Sequence, residues 1–573
     1  MAPLPGRAEW TTLVMRSQLR EVLARAVEKT AKTEKLNAGE LPPILVEPPK
    51  QREFGDLSSN VAMVWARRAK RPPRSIAEAV LKNLEDPDGI LARQEIAGPG
   101  FLNFSFAPKF FYREFRELVS GRNLQIDLGH GEKIQVEFAS VNPTGPLHVG
   151  HGRVAVIGDA LARLHQAAGF SVEREYYVND AGNQMDNLGR SISARYRESF
   201  GEDVAFPENG YPGDYVKDIA AEIRGQQGDK YLHDGEAAQK FFRETGGDLL
   251  LNMIRRQLTD FGITFDSFFS EKAMRERGEV AECLELLRQH RLLYFQDGAE
   301  WYKSTQFGDE KDRTVIKSDG ELTYFSSDIA YHRNKYQRGF QKLINVWGAD
   351  HHGYVPRLKA AMQGLGYDPN RLHVVLVQMV QLTRGGEPVR MGKRSGEFIS
   401  LEEVLDEVGT DAARFFFLMR KSDSHLDFDL DLAKRQSSDN PVFYVQYAHA
   451  RVASIFEQAA RNGIILDQRD NVPIERLALA EELGLIRRMI EFNDVLEESV
   501  RELEPHRMIF YLVDLASDFH HYYNHARVIT DDADLSRARL LLVENVQKTV
   551  RRGLEILGIE APTKMAARVE GDQ

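Results

Sequence analysis

The run that most constrains this fold begins at Lys133. KIQVEFAS is strand-like and the turn VNPTGP follows it; LHVGHGRVAVIGDALARLHQAAGF then repeats apolar residues every three or four positions as far as Gly169. VEREYYVND, from Val172, is strand-like again. Strand, helix and strand in that order predict a βαβ unit and therefore a parallel, nucleotide-binding sheet. Inside the unit, NPTGPLHVGHGR (142–153) sets His148 and His151 at i and i+3 at the helix entry. Free N–H groups at a helix N-terminus favour an anion, and two imidazoles from one turn suit phosphoryl oxygens on which charge builds. Gly145, Gly150 and Gly152 are expected to let a ligand approach the backbone. A histidine pair at this spacing is incidental by itself; its place between a strand and an amphipathic helix makes it specific.

The chain has 573 residues, which predicts roughly three to five domains. Residues 12–32 carry apolar side chains at helical spacing, the proline-rich LPPILVEPPKQREFGDL reads as extended chain and turns, and residues 58–70 read as helical. GPGFLNFSF (98–106) alternates, and a helical stretch to about Val119 completes an α+β unit ending near residue 120. Beyond the βαβ unit, LTYFSSD, KLINVWG and HVVLVQMVQL are strand candidates, with a helix from Tyr354 to Gly364 among them. The polar stretch from about 185 to 261 reads as a helical insertion. From Asn440 onward strand signals vanish, which implies an all-helical C-terminal domain.

Acidic residues number 86 against 75 basic ones, a formal net charge of −11, so any nucleic acid must meet local basic patches rather than bulk attraction. Two runs qualify, ARRAKRPPR (66–74) and KTVRRG (548–553), and for each a solvated charged face is the plainer reading. No apolar run approaches the roughly twenty residues that span a bilayer. The N-terminus has no signal-like core and Cys283 is the single cysteine, so a cytoplasmic protein without disulfides or a cysteine-rich zinc site is expected.

The His-x-Gly-His run, with its preceding Asn-Pro-Thr-Gly-Pro, resembles the first signature of the class I aminoacyl-tRNA synthetases, in its arginyl-tRNA synthetase form. RMGKRSGEF (390–398) resembles the family's second signature, Lys-Met-Ser-Lys-Ser, with Arg390, Gly392 and Arg394 substituted and Met391 and Lys393 retained. A Gly-flanked cationic loop suits neutralisation of a departing pyrophosphate; it is not a Walker A loop, because no Gly stands five residues before Gly392. EPPKQREFGDLSSNVA, YPGDYV, the run 414–451 and APTKM are further family-like stretches, and the eight residues after Met565 carry no assigned role.

The resemblance implies a multidomain fold: an α+β N-terminal additional tRNA-binding domain (1–120), an α/β Rossmann-like parallel-sheet catalytic domain (121–435, insertion about 185–261, signature loop 390–396) and an all-α anticodon-binding bundle (436–573). It implies activation of L-arginine with ATP to arginyl-adenylate and transfer to the 3′-terminal adenosine of tRNA(Arg), with Mg2+ accompanying ATP, no protein-bound zinc, and a monomer. His148, His151 and Lys393 would be catalytic. Gly145, Gly150, Asp350, His351, Met391 and Lys393 would bind ATP. A guanidinium demands carboxylate partners; Glu271, Tyr324 and Asp328 are the candidates for that end, and Glu137, Ser140 and Asn142 for the amino-acid head group. Arg527 and Tyr523 would face tRNA, and Tyr522 beside them could equally be core.

Two histidine clusters have other readings. ADHHG (349–353) is like the Asp-His-His motif of metal-dependent phosphoesterases, but further Asp-rich motifs are not evident. His521 and His525 stand at i and i+4, without the Glu of His-Glu-x-x-His. The alternatives to an arginyl enzyme are another class I synthetase or nucleotidyltransferase, and an RNA-binding paralogue without catalysis.

Overall fold

The computed structural model describes residues 13–35, 42–47, 49, 51–121, 126–233, 235–389 and 399–565. Arg390, Met391, Gly392, Lys393 and Arg394 lie outside the described residues, as does the tail after Met565. In the N-terminal part, helix Leu13–Thr33 packs with helices Val61–Ala69, Pro73–Lys82 and Pro108–Val119 around an antiparallel sheet in the order Leu57–Ser59, Phe101–Phe106, Leu91–Ala97. The alternation in FLNFSF is the reason: Leu102, Phe104 and Phe106 are buried on one face with Leu19, Trp65 and Phe115. In the first basic run Arg71 pairs with Glu34 and Arg74 with Glu78; in the second, Lys548 pairs with Glu544, so part of each patch is neutralised locally.

A five-stranded, wholly parallel sheet forms the centre, in the order Leu372–Val377, Lys342–Gly348, Lys133–Glu137, Ser171–Val178, Ser267–Ser270. Helix Val149–Ala167 makes the first crossover. It lies so close to the sheet that a Cβ on Gly158 would fall 2.1 Å from the Phe138 ring, so only glycine fits there. The chain leaves the two middle strands in opposite directions, which opens a crevice at their carboxyl ends, the place where open α/β sheets bind ligands.

Two strand expectations are corrected. LTYFSSD does not form a strand: Thr323 is extended (φ −81, ψ 161) and helix Tyr324–Gln337 begins directly after it. Phe325, Ile329, His332 and Tyr336 are buried at three- and four-residue spacing, and Ser326, Ser327, Ala330, Tyr331, Arg333 and Lys335 are buried between them, so the helix is enclosed on most sides and the short β-rich run conceals its period. HVVLVQMVQL is two strands, Leu372–Val377 in the central sheet and Val380–Arg384 in a separate small sheet with Glu387–Pro388 and Leu426–Asp429. The antiparallel sheet of Leu293–Gln296, Ala299–Tyr302 and Arg313–Ile316 was not anticipated.

Residues 183–260 fold as three helices, Asn183–Glu198, Asp214–Gln227 and Gly235–Asp260, around Leu188, Ile192, Ile219 and Phe242. The C-terminal bundle consists of helices Pro441–Arg461, Ala480–Ile490, Phe492–Arg501, His506–His525 and Ala533–Ile556. It docks on the N-terminal part through the Arg487–Asp56 ion pair, and the Tyr112 hydroxyl donates to the Leu477 carbonyl at 2.8 Å.

One buried ion pair joins these parts. Arg414, 1% exposed, donates to Asp159 in the crossover helix, to the Leu557 carbonyl at the end of the C-terminal bundle and to the Phe261 carbonyl at the end of the insertion. Asp159 also accepts from Arg163 at 2.7 Å. Removing one partner of such a pair strands the other charge in a low dielectric, so Asp159→Asn is expected to cost about 3–5 kcal/mol in denaturant unfolding. Asp159→Asn with Arg414→Met should cost less than the sum of the single changes.

Candidate active site

The crevice is a cleft of about 1510 Å³. Glu137, Ala139 to Asn142, Thr144 and Gly145 line one wall, the start of the crossover helix the floor, Gly348 to His351 and Val377 to Val380 the far side, and Tyr211 to Tyr215 of the insertion a third edge. Ser140 follows a tight turn in which Ala139 takes φ +65 and the Ser140 N–H donates to the Phe138 carbonyl at 2.8 Å. This is an uncommon backbone for alanine, held by the strand before it and the loop after it.

His148 caps the helix. Its Nδ1 accepts from the N–H of Gly150 at 3.1 Å and of His151 at 3.4 Å, while the His148 N–H donates to His151 Nδ1 at 3.3 Å. The rings stack with centroids 3.4 Å apart and planes 24° from parallel. Because each Nδ1 accepts from an amide, a neutral ring must carry its proton on Nε2. Burial lowers the His148 pKa, and burial followed by the His148 charge brings His151 down to about 3, so both rings are neutral imidazoles at physiological pH. The expectation of free helix N–H groups is thus corrected: those of Gly150 and His151 are taken by the His148 ring. The glycines stand against the chain's own side chains as well. A Cβ on Gly150 would meet that ring at 3.0 Å, one on Gly152 would meet Leu401 at 2.6 Å and one on Gly145 the Tyr215 hydroxyl at 3.3 Å. The room these glycines leave is filled first by the protein.

Ser400 forms a β-bridge with His148, and the Leu401 N–H donates to the Leu147 carbonyl at 2.8 Å. The chain that emerges from residues 390–398 is therefore anchored on the histidine signature itself.

At the other end of the cleft, carboxylates gather. Glu137, Glu271 and Asp328 all act on Tyr177, whose hydroxyl is pushed well above its usual pKa by burial and then by these three charges. Asp328 accepts from the Tyr354 hydroxyl; burial drives its carboxyl up to about 7, against the opposing effect of that hydrogen bond and with the help of Glu271 and Glu137. Glu271 is buried, paired with Arg275 and, with the Asn179 amide nitrogen turned toward it, accepts from Asn179 at 2.9 Å. Glu137 is already engaged: the fully buried Lys335 Nζ donates to it at 2.7 Å and to Asn345 at 3.0 Å, and Ser140 Oγ donates at 3.0 Å. Asn345 in turn contacts His332 Nε2 at 2.7 Å. Asn142 donates to Gln184 at 2.6 Å, and Tyr324 stands exposed at the rim.

Asp350 and His351 are exposed on the far side, 3.5 Å from one another. Tyr523 and Arg527 are exposed on the C-terminal bundle, distant in sequence and element from the cleft; Arg451 covers the Tyr523 ring at 4.6 Å. Tyr522 is core. His525 Nδ1 contacts the His521 carbonyl at 2.7 Å, an intrahelical bond. Sequence reasoning missed Lys335, Asn345, His332, Tyr177, Tyr331 and Tyr354. The spacing of Tyr331, His332 and Lys335 along a buried helix face was the available signal, hidden by the strand reading of its first turn.

Three family models match successive parts of the chain: "Arginyl tRNA synthetase N terminal domain" over 17–106, "tRNA synthetases class I (R), catalytic domain" over 115–429 and "DALR anticodon binding domain" over 445–565. The chain is 49% identical over 555 residues to an arginine-tRNA ligase of Syntrophotalea carbinolica, covering 96% of this chain and 100% of that one. It is 46% identical to the arginine-tRNA ligase of Geobacillus thermodenitrificans over 96% of this chain and 99% of that one. Among solved structures, a putative arginyl-tRNA synthetase from Campylobacter jejuni aligns with TM-score 0.73 at 37% identity, over 80% of this chain and 99% of that one. The Thermus thermophilus arginyl-tRNA synthetase shares the fold, with TM-score 0.74 at 22% identity, over 96% of this chain and 100% of that one. The chain, with its stacked histidines at the carboxyl ends of a parallel sheet, belongs to the class I arginyl-tRNA synthetase family.

Proposed function

We propose that this single cleft carries both half-reactions of an arginine-tRNA ligase. The chain charges tRNA(Arg) with arginine, using ATP. The observation that carries the residue assignment is that two neutral imidazoles at a helix entry share one cleft with three converging carboxylates. In the first step an arginine carboxylate oxygen attacks the α-phosphorus in line, and the α–β bridging electron pair leaves with pyrophosphate. His148 and His151 donate from Nε2 to the phosphoryl oxygens. Their depressed pKa values make them fixed hydrogen-bond donors rather than acids.

Lys393 belongs to the segment that enters Ser400, which is paired to His148, and it supplies the charge that neutralises the departing pyrophosphate. Gly145, Gly150, Asp350, His351 and Met391 surround the nucleotide, and Mg2+ accompanies it. Asp328, Glu271 and Tyr324 take the guanidinium; Glu137, Ser140 and Asn142 take the head group, with Lys335 holding Glu137 in place. The terminal adenosine 2′-hydroxyl then attacks the activated carbonyl and AMP leaves. Arg527 and Tyr523 meet the tRNA at a distance from the chemistry. The assignment divides the chain at 1–120, 121–435 and 436–573 and describes a monomer working in the cytoplasm; no helix among the described residues is long and apolar enough to cross a membrane.

Charging of total tRNA with each proteinogenic amino acid in turn should succeed with arginine alone. His148→Ala should lower the charging rate about 10²–10³-fold while tRNA affinity stays within about twofold; an unchanged rate would remove the catalytic assignment. A guanidinium binds the carboxylate form of Asp328, so KM for arginine should rise as the pH falls through about 7. Tyr354→Phe removes a hydrogen bond that lowers this pKa and should move the break to higher pH, and Asp328→Asn should raise KM and flatten it.

A further inference from the structure

Arg153 stands two residues after His151 and is fully buried, yet no carboxylate pairs with it within the described residues. Its Nη1 donates to the carbonyls of Gln378 and Ser424, both at 2.8 Å, and its Nη2 to the Lys421 carbonyl at 3.0 Å. Its Nε has no partner among the described residues. Burial lowers its pKa to about 10, with Asp423 opposing. A guanidinium removed from water and compensated mainly by carbonyl dipoles is costly, and a chain that needed only packing here would be served by an apolar residue of similar size.

What the arginine holds is the break between two strands. Val377 ends the strand in the central sheet, Val380 begins the strand in the next, and Gln378 and Met379 between them line the same cleft as the histidine pair. The Gln378 N–H donates to the Ser422 carbonyl at 2.8 Å, and the Met379 carbonyl accepts from Leu426 at 3.3 Å. Three of the four main-chain groups of this pair are thus turned into the protein. A trans peptide sets C=O and N–H on opposite sides. With the Gln378 carbonyl drawn inward to Arg153, the Met379 N–H points the other way, toward the cleft, and it has no partner among the described residues. The Met379 side chain is 72% exposed beside it.

We propose that Arg153 is a positioning residue for the nucleotide: from beneath the cleft it locks the Gln378–Met379 peptide, and so the Met379 N–H, at a fixed offset from His148 and His151. The inference rests on the assignment of this cleft to ATP and arginine. Arg153 touches neither substrate; it acts through the peptide it clamps. Because it grows from the same helix turn as His151, the clamp ties the strand break and the imidazole pair to one rigid element.

The test is steady-state charging by Arg153→Lys, which keeps the charge but lacks the planar fork needed to hold three carbonyls. KM for ATP should rise at least about tenfold while KM for arginine stays within about twofold, with the thermal midpoint recorded to confirm folding. Equal movement of both KM values, or of neither, overturns the proposal. A second measurement needs no variant: in the wild-type enzyme, the β,γ-imido analogue of ATP should slow hydrogen exchange of the Met379 amide, whereas arginine alone should not. Exchange unaffected by the analogue overturns it as well. Failure of the wild-type enzyme to charge tRNA with arginine would instead remove the underlying reading of the cleft.

Discussion

The first turn of helix Val149–Ala167 is closed by its own histidines. Each ring takes a backbone N–H on Nδ1, and this exchange fixes the tautomer, stacks the rings and spends the amides that an anion would otherwise bind. The helix therefore offers imidazole N–H groups to a ligand in place of main-chain ones, farther out in the cleft and on rings that cannot rotate without losing these three hydrogen bonds. Burial completes the effect by keeping both rings uncharged. A preorganised donor pair costs no reorganisation when charge builds on a phosphate, which is the physical basis of the catalysis assigned here.

Four contacts hold that helix in place. Gly158 lets the helix sit on Phe138, Asp159 ties its middle to Arg414, Arg153 ties its start to the strand break, and Ser400 brings in the segment that carries Lys393. On the opposite side, Lys335 neutralises Glu137 inside the fold while Asp328 is left to titrate near neutrality. The carboxylates are thus unequal, and the one with the strongest unmet demand for a cation is Asp328. Because Arg414 also donates to the carbonyls of Phe261 and Leu557, the signature helix is coupled to both the insertion and the C-terminal bundle.

Much of this was legible in the sequence. The βαβ unit announced itself because a long amphipathic period stood between two β-rich runs, and His148 and His151 were marked by their position in it. Local pattern fails where burial is two-sided. Helix Tyr324–Gln337 is buried nearly all round, so its first turn reads as a strand and the Lys335–Glu137–Asn345 network behind it went unseen. The split at Gln378 is hard to see for a related reason: only Gln378 and Gln381 interrupt the apolar run from Val374 to Leu382, and the groups that meet the break, Arg153 and Ser422, lie far away in the sequence. The helix cap is hidden for another reason: a sequence does not say whether a ring of the chain itself or a ligand takes the first N–H groups, and the glycines of that turn also stand against the chain's own side chains.

The proposed catalysis requires the histidine turn and Lys393 to meet on one triphosphate. An ATP analogue with a lysine-reactive acyl group on its γ-phosphate measures this directly, by mass spectrometry of the labelled enzyme. The expected result is acylation of Lys393, suppressed by excess ATP and reduced in His148→Ala. ATP-protected labelling of other lysines with Lys393 untouched would contradict it.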